Sequence, residues 1–154
     1  WLSKGEHSSL VLFFENGGGA YMKLTYSGPD TGFREALLPS VGFEGKCEAP
    51  KPECECGTGF CFKAYYDPNG RGQVRDFPDL SKLVPQVAVI APTIGLYNDH
   101  QIARFLGKTG RFDHVAASFT GVLFINLPGQ YQICTTSDDG SRLFIDGKVS
   151  VNNG

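Results

Sequence analysis

The chain has 154 residues, a formal net charge of -2, 20 glycines and 9 prolines. That length suits one domain with a substantial core. The weakly acidic balance offers no field for nucleic acid, and no apolar run reaches the roughly 18 residues that span a bilayer, so neither nucleic-acid binding nor membrane insertion is expected.

The amino terminus, Trp1-Leu2-Ser3-Lys4-Gly5, lacks the basic start and apolar core of a signal peptide and has no initiator Met. It reads as part of a processed or excised piece of something longer. Residues 7–27 suggest a β-hairpin, with strands over 7–14 and 20–26 around the loop Glu15-Asn16-Gly17-Gly18-Gly19. In the second strand Tyr21, Lys23 and Thr25 alternate with Met22, Leu24 and Tyr26, and Ser27-Gly28-Pro29-Asp30 ends it. Residues 39–63 hold four cysteines with Pro50 and Pro52 and little periodicity. A strand is expected over 62–66, then a long irregular stretch to about residue 109, interrupted only by a short helical turn at 99–106. Residues 119–126 and 129–135 suggest a hairpin around Leu127-Pro128. Residues 142–145 and 148–151 suggest another around Asp146-Gly147. With twelve Phe and six Tyr among short segments and tight turns, the fold class is all-β.

Cys47, Cys54, Cys56 and Cys61 crowd one segment. Their spacing is not that of paired zinc knuckles, and disulfides in a secreted or cell-surface setting are favoured, with three connectivities open. Cys134 is left over, either as a buried free thiol or with a partner outside the chain.

The richest motif runs from Thr136 to Gly147 and sets Asp138 beside Asp139 in a turn between apolar segments. Two adjacent carboxylates repel, and a hard cation such as Ca²⁺ would relieve them. A solvated Asp-Asp-Gly turn is the alternative. Asp146 is assigned to its Asp-Gly turn. Trp1, Tyr97 and Tyr131 could stack on a sugar, yet such residues are more often core or interface in a β-sandwich. His7, His100 and His114 show no metal spacing, and Asp76 and Asp79 give no defined carboxylate separation for glycosidase chemistry. No nucleophile elbow or phosphate-cradling loop is present, and no Asn-x-Ser/Thr sequon occurs. No enzymatic activity is expected.

Residues 75–80 (Arg-Asp-Phe-Pro-Asp-Leu), 119–123 (Phe-Thr-Gly-Val-Leu) and 136–147, with 13–20 and 24–30, resemble the PA14 domain family, the β-sandwich module named for anthrax protective antigen. The resemblance implies an antiparallel sandwich or barrel in reordered form: 1–40 as the carboxyl-terminal part of one domain, 41–61 as a cysteine-rich linker, and 62–154 as the amino-terminal part of the next. Half a sandwich leaves edges unpaired and an apolar face open. Residues 1–40 must therefore dock onto 62–154 of their own chain, or complete a neighbouring chain or repeat. Completion between chains or repeats is the favoured expectation.

In the family's sugar-binding members Ca²⁺ sits on an Asp-Asp pair joined by a cis peptide, helped by an Asn and backbone carbonyls from a second loop. Carried over residue by residue, this implies metal ligands at Asp138, Asp139 and Asn16, with Glu15 competing and Gly17 or Gly18 as carbonyl donors. The sugar would meet Asp138, Asp139 and Asn16. The implied function is a non-catalytic extracellular module that builds a fibre or surface array by head-to-tail strand complementation with copies of itself or adjacent repeats, Ca²⁺-stabilised. The alternatives are a Ca²⁺-dependent carbohydrate-binding adhesin, or an accessory domain of a secreted glycosidase.

Overall fold

The computed structural model describes residues 1–39, 58–66, 77–98, 100–101, 104 and 114–154. Among these residues ten strands form two antiparallel sheets. They are β1 (Gly5–Glu15), β2 (Tyr21–Ser27), β3 (Ala36–Leu37), β4 (Phe60–Tyr66), β5 (Val87–Ala91), β6 (Gly95–Leu96), β7 (Val115–Ile125), β8 (Gln132–Asp138), β9 (Gly140–Ile145) and β10 (Lys148–Asn153). One sheet has the order β10-β9-β1-β7-β4-β5. In the other, β3 and β6 lie beside β2, and β8 also pairs with β2. The all-β, antiparallel expectation holds.

Alternation along the strands builds the core. On β1 the buried side is His7, Ser9, Val11 and Phe13; opposite, β2 contributes Met22 and Leu24. Phe60, Phe62, Ile94, Phe119, Leu123 and Leu143 complete the packing, with the Phe62 and Phe119 rings 4.8 Å apart. A smaller cluster lies behind the first sheet: Phe14, Tyr65 and Ala116 are covered by Phe77, Leu80 and Leu83.

In the single chain, residues of the leading segment pair with strands of the trailing one. β1 pairs with β7 from Gly5↔Ile125 to Glu15↔Val115 and with β9 from Ser9↔Ile145 to Phe14↔Gly140, all within one chain. Both of its edges are thereby used. β4 begins at Phe60, two residues inside the span read as linker; residues 41–57 of that span lie outside the described residues.

Two expected hairpins are corrected for the same reason. β1 and β2 lie in opposite sheets: with β7 on one edge of β1 and β9 on the other, no edge remains for β2, and residues 16–20 turn a corner across the core. β7 and β8 likewise part at Leu127-Pro128, because β7 is flanked by β1 and β4 while β8 runs along β2. The third hairpin stands. β9 and β10 pair through Ile145↔Lys148, and Asp146 and Gly147 have φ of 48° and 73°, the two positive values that a type I′ turn needs.

The stretch read as irregular contains β5, β6 and a 3₁₀ turn at Leu80–Lys82. The run Val87-Ala88-Val89-Ile90-Ala91 between Pro85 and Pro92 was the legible signal for β5. His100, Gln101 and Arg104 are helical, and the rest of the 99–106 turn lies outside the described residues. Among the described residues no helix is long and apolar enough to cross a membrane.

Candidate metal centre

β8 and β9 belong to different sheets, so the Asp138-Asp139 step between them is a corner. Asp138 is opposite Tyr21 on β2, and Gly140 is opposite Phe14 on β1. The Asp138–Asp139 peptide is cis. A Cβ on Gly140 would sit 2.3 Å from the Phe14 ring, so the corner closes onto β1 only with glycine there. Ser137 Oγ donates to the Asp139 carbonyl oxygen at 3.1 Å, lies 2.8 Å from Ser141 Oγ, and accepts from Asn153 Nδ2 at 3.2 Å. These bonds tie the corner to β10.

From the other side the β1–β2 loop arrives. The Asn16 backbone N–H donates to Asp139 Oδ2 at 2.7 Å, a short charge-assisted bond. Asn16 Oδ1 is buried with no hydrogen-bond partner, an arrangement that normally costs free energy. Asp138, Asp139 and Asn16 line one open cleft of about 390 Å³ with Phe14, Gly140, Asn153 and Gly154. Among the described residues no Lys or Arg lines it. Two carboxylates and an amide oxygen without a donor make an all-oxygen, net-negative set, which fits a hard cation of the Ca²⁺ type.

Glu15 does not join this set. It is 1% exposed, stands opposite Val115, and does not line the cleft. The alternation that buries Phe13 also turns Glu15 inward. Gly17 is exposed and likewise absent from the lining.

The aromatic candidates lie elsewhere. Tyr131 stacks on Tyr26 at 6.4 Å and donates its hydroxyl to the Leu127 carbonyl; Tyr97 packs edge-on against Tyr21; Trp1 is 85% exposed. Asp79 caps the 3₁₀ turn. Its pKa is held down to about 2 by the Ser81 hydroxyl and then by Lys82. Asp76 lies outside the described residues, as do Cys47, Cys54 and Cys56. Cys61 is disulfide-bonded. Cys134 is free, and it is exposed rather than buried, because even-numbered positions of β8 face outward.

Sequence reading missed one pair. His7 Nδ1 lies 2.6 Å from Asp146 Oδ2, and His7 Nε2 is 3.0 Å from the Ser3 carbonyl oxygen. Asp146 Oδ1 also accepts from the Ser8 N–H at 2.9 Å. The hydrogen bond to Asp146 raises the His7 pKa, and the same bond lowers that of Asp146. The turn aspartate thus fastens the start of β1 to the β9–β10 turn. The residues are 139 apart in the chain, and no local signal pairs them.

The profile of the PA14 domain family matches residues 75–154, more than half of the chain. No curated protein and no solved structure matches it. The matched segment carries the Asp138-Asp139 corner as well as β5 to β10, and by that match the chain belongs to the PA14 domain family.

Proposed function

We propose that this chain is a Ca²⁺-dependent carbohydrate-binding module of adhesion type, working outside the cell. The family supplies the coarse part of this reading: PA14 domains are generally non-catalytic binding modules of extracellular or surface proteins. The single observation that carries the finer part is the convergence of Asp138, Asp139 and Asn16 on one cleft, with the Asn16 Oδ1 buried and lacking a donor. No hydrogen bond comes to that oxygen from the described residues. A cation held by the two carboxylates satisfies it.

Ca²⁺ accepts about six to eight oxygens, so a protein set of this size leaves positions for the hydroxyls of a sugar. Asp138 and Asp139 supply the charge. Asp139 has a second task, holding the Asn16 backbone so that the amide stays beside the acidic pair. Asn153, which lines the cleft and is fixed through Ser137, offers a polar wall to the ligand. The disulfide at Cys61 agrees with an oxidising compartment.

The fibre reading assumed domain halves in need of a neighbour. The pairing of β1 and β2 within their own chain supports a self-contained binding module over that reading. A glycan array probed with and without chelator tests the carbohydrate reading. Binding present with Ca²⁺ and lost on chelation is expected; no binding to any glycan with Ca²⁺ present refutes it.

A further inference from the structure

Among the described residues β8 has one strand partner, β2, along its whole length from Tyr21↔Asp138 to Ser27↔Gln132. Its outer edge is seven residues long, with the N–H and C=O groups of alternate residues aimed away from β2 and no described strand beside them. Exposure along the strand agrees. Gln132, Cys134, Thr136 and Asp138 are exposed, while the inward-facing Ile133, Thr135 and Ser137 are only half-buried. On the neighbouring β2, Met22 and Leu24 are fully buried. Natural proteins blunt such edges with Lys, Pro or a bulge. β10, at the edge of the other sheet, carries both Lys148 and a register shift between Val149 and Val151. β8 has neither device: Gln132-Ile133-Cys134-Thr135-Thr136-Ser137 holds no charge, no Pro and no Gly, and its register with β2 is unbroken.

We propose that the β8 edge docks a second copy of this chain, the two β8 strands pairing antiparallel about a two-fold axis at Thr135. The strand is complementary to itself in that register. All seven residues overlap, and the outward faces stay outward. The lone carboxylate of β8, Asp138, comes opposite Gln132 of the second copy at both ends, where an amide can donate to it. Sliding the axis toward Asp138 would set the two carboxylates against each other, which like charges across a strand pair disfavour. Such an interface is isologous and closes at two copies, unlike a head-to-tail fibre. It continues the second sheet through both protomers and sets the two Asp138 corners about 20 Å apart, at ~3.4 Å per residue.

The pairing needs no cation, so it is tested with chelator present throughout, on the full chain, and stands or falls independently of the carbohydrate reading. Sedimentation velocity over a concentration series reads the dimer. Position 132 is exposed, so Gln132→Asp and Gln132→Lys leave the fold intact, as far-UV circular dichroism checks. Gln132→Asp sets like charges opposite each other at both ends and is expected to weaken the dimer about fivefold; Gln132→Lys creates two opposite-charge pairs and tightens it by a similar factor. In the same dimer the two Cys134 side chains are diagonal neighbours about 7–8 Å apart. A short thiol-to-thiol crosslinker therefore joins the copies, and does so no longer in Cys134→Ser. A monomer at every concentration, equal dimerisation of the two Gln132 variants, or an open-ended ladder of oligomers overturns the proposal.

Discussion

Replacing Asp139 by Asn separates what that carboxylate does for the protein from what it does for a cation. Its Oδ2 accepts the Asn16 N–H at 2.7 Å, and an Asn side chain keeps an acceptor there while removing the charge. Thermal stability without Ca²⁺ should therefore change little in Asp139→Asn. The cation's contribution should disappear. At a free Ca²⁺ concentration 100-fold above its dissociation constant, binding to the folded state alone contributes about 2.7 kcal/mol. At roughly 2–4 °C per kcal/mol for a domain of this size, that is a rise of about 5–10 °C in Tm. Asn16→Ala should lose the same rise while leaving the cation-free protein no less stable, because the oxygen it removes is buried without a donor. Differential scanning calorimetry of chelator-stripped protein, with and without Ca²⁺, measures each quantity. A full Ca²⁺-dependent rise retained in Asp139→Asn, or none in the wild type, would refute the reasoning.

Gly140→Ala drives a Cβ to 2.3 Å from the Phe14 ring and should cost about 1–3 kcal/mol as overpacking, read from chemical denaturation. The His7–Asp146 pair sets a pH dependence. His7 is raised above 6.5, so its contribution is complete below that value and is lost as pH rises through the folded pKa. Asp146 is lowered below 3.8, so its part is complete above that value and is lost as pH falls through the folded pKa. The stability difference between wild type and Asp146→Asn should accordingly be larger at about pH 5.5 than at about pH 8.5; an equal difference at both would show that the pair is not ionic. Cys134 should react with a thiol reagent in the native protein, whereas Cys61 should be labelled only after reduction, as mass spectrometry of the labelled peptides would show.

What could be read without the structure was local. Asp146-Gly147 sits between two short apolar runs, and its type I′ hairpin followed because turn chemistry acts over four residues. Alternation in residues 21–26 set Met22, Leu24 and Tyr26 on one face, since successive side chains of a strand point to opposite faces, and Met22 and Leu24 prove to be core. Resemblance carried Asp138, Asp139 and Asn16 to one site, and the cleft contains all three.

Only the tertiary structure decided which edge meets which. Alternation says which face of a strand is apolar and nothing about its neighbours, so 7–14 beside 20–26 looked like a hairpin although β1 lies between β7 and β9. Glu15 and Asn16 are adjacent and both polar, yet one is turned into the protein and the other holds the corner. Their separation depends on where β1 ends against Val115 and on the reach of Asp139, contacts made 100 and 123 residues away. Such contacts form only after a long loop has closed, and short-range patterns carry no record of them.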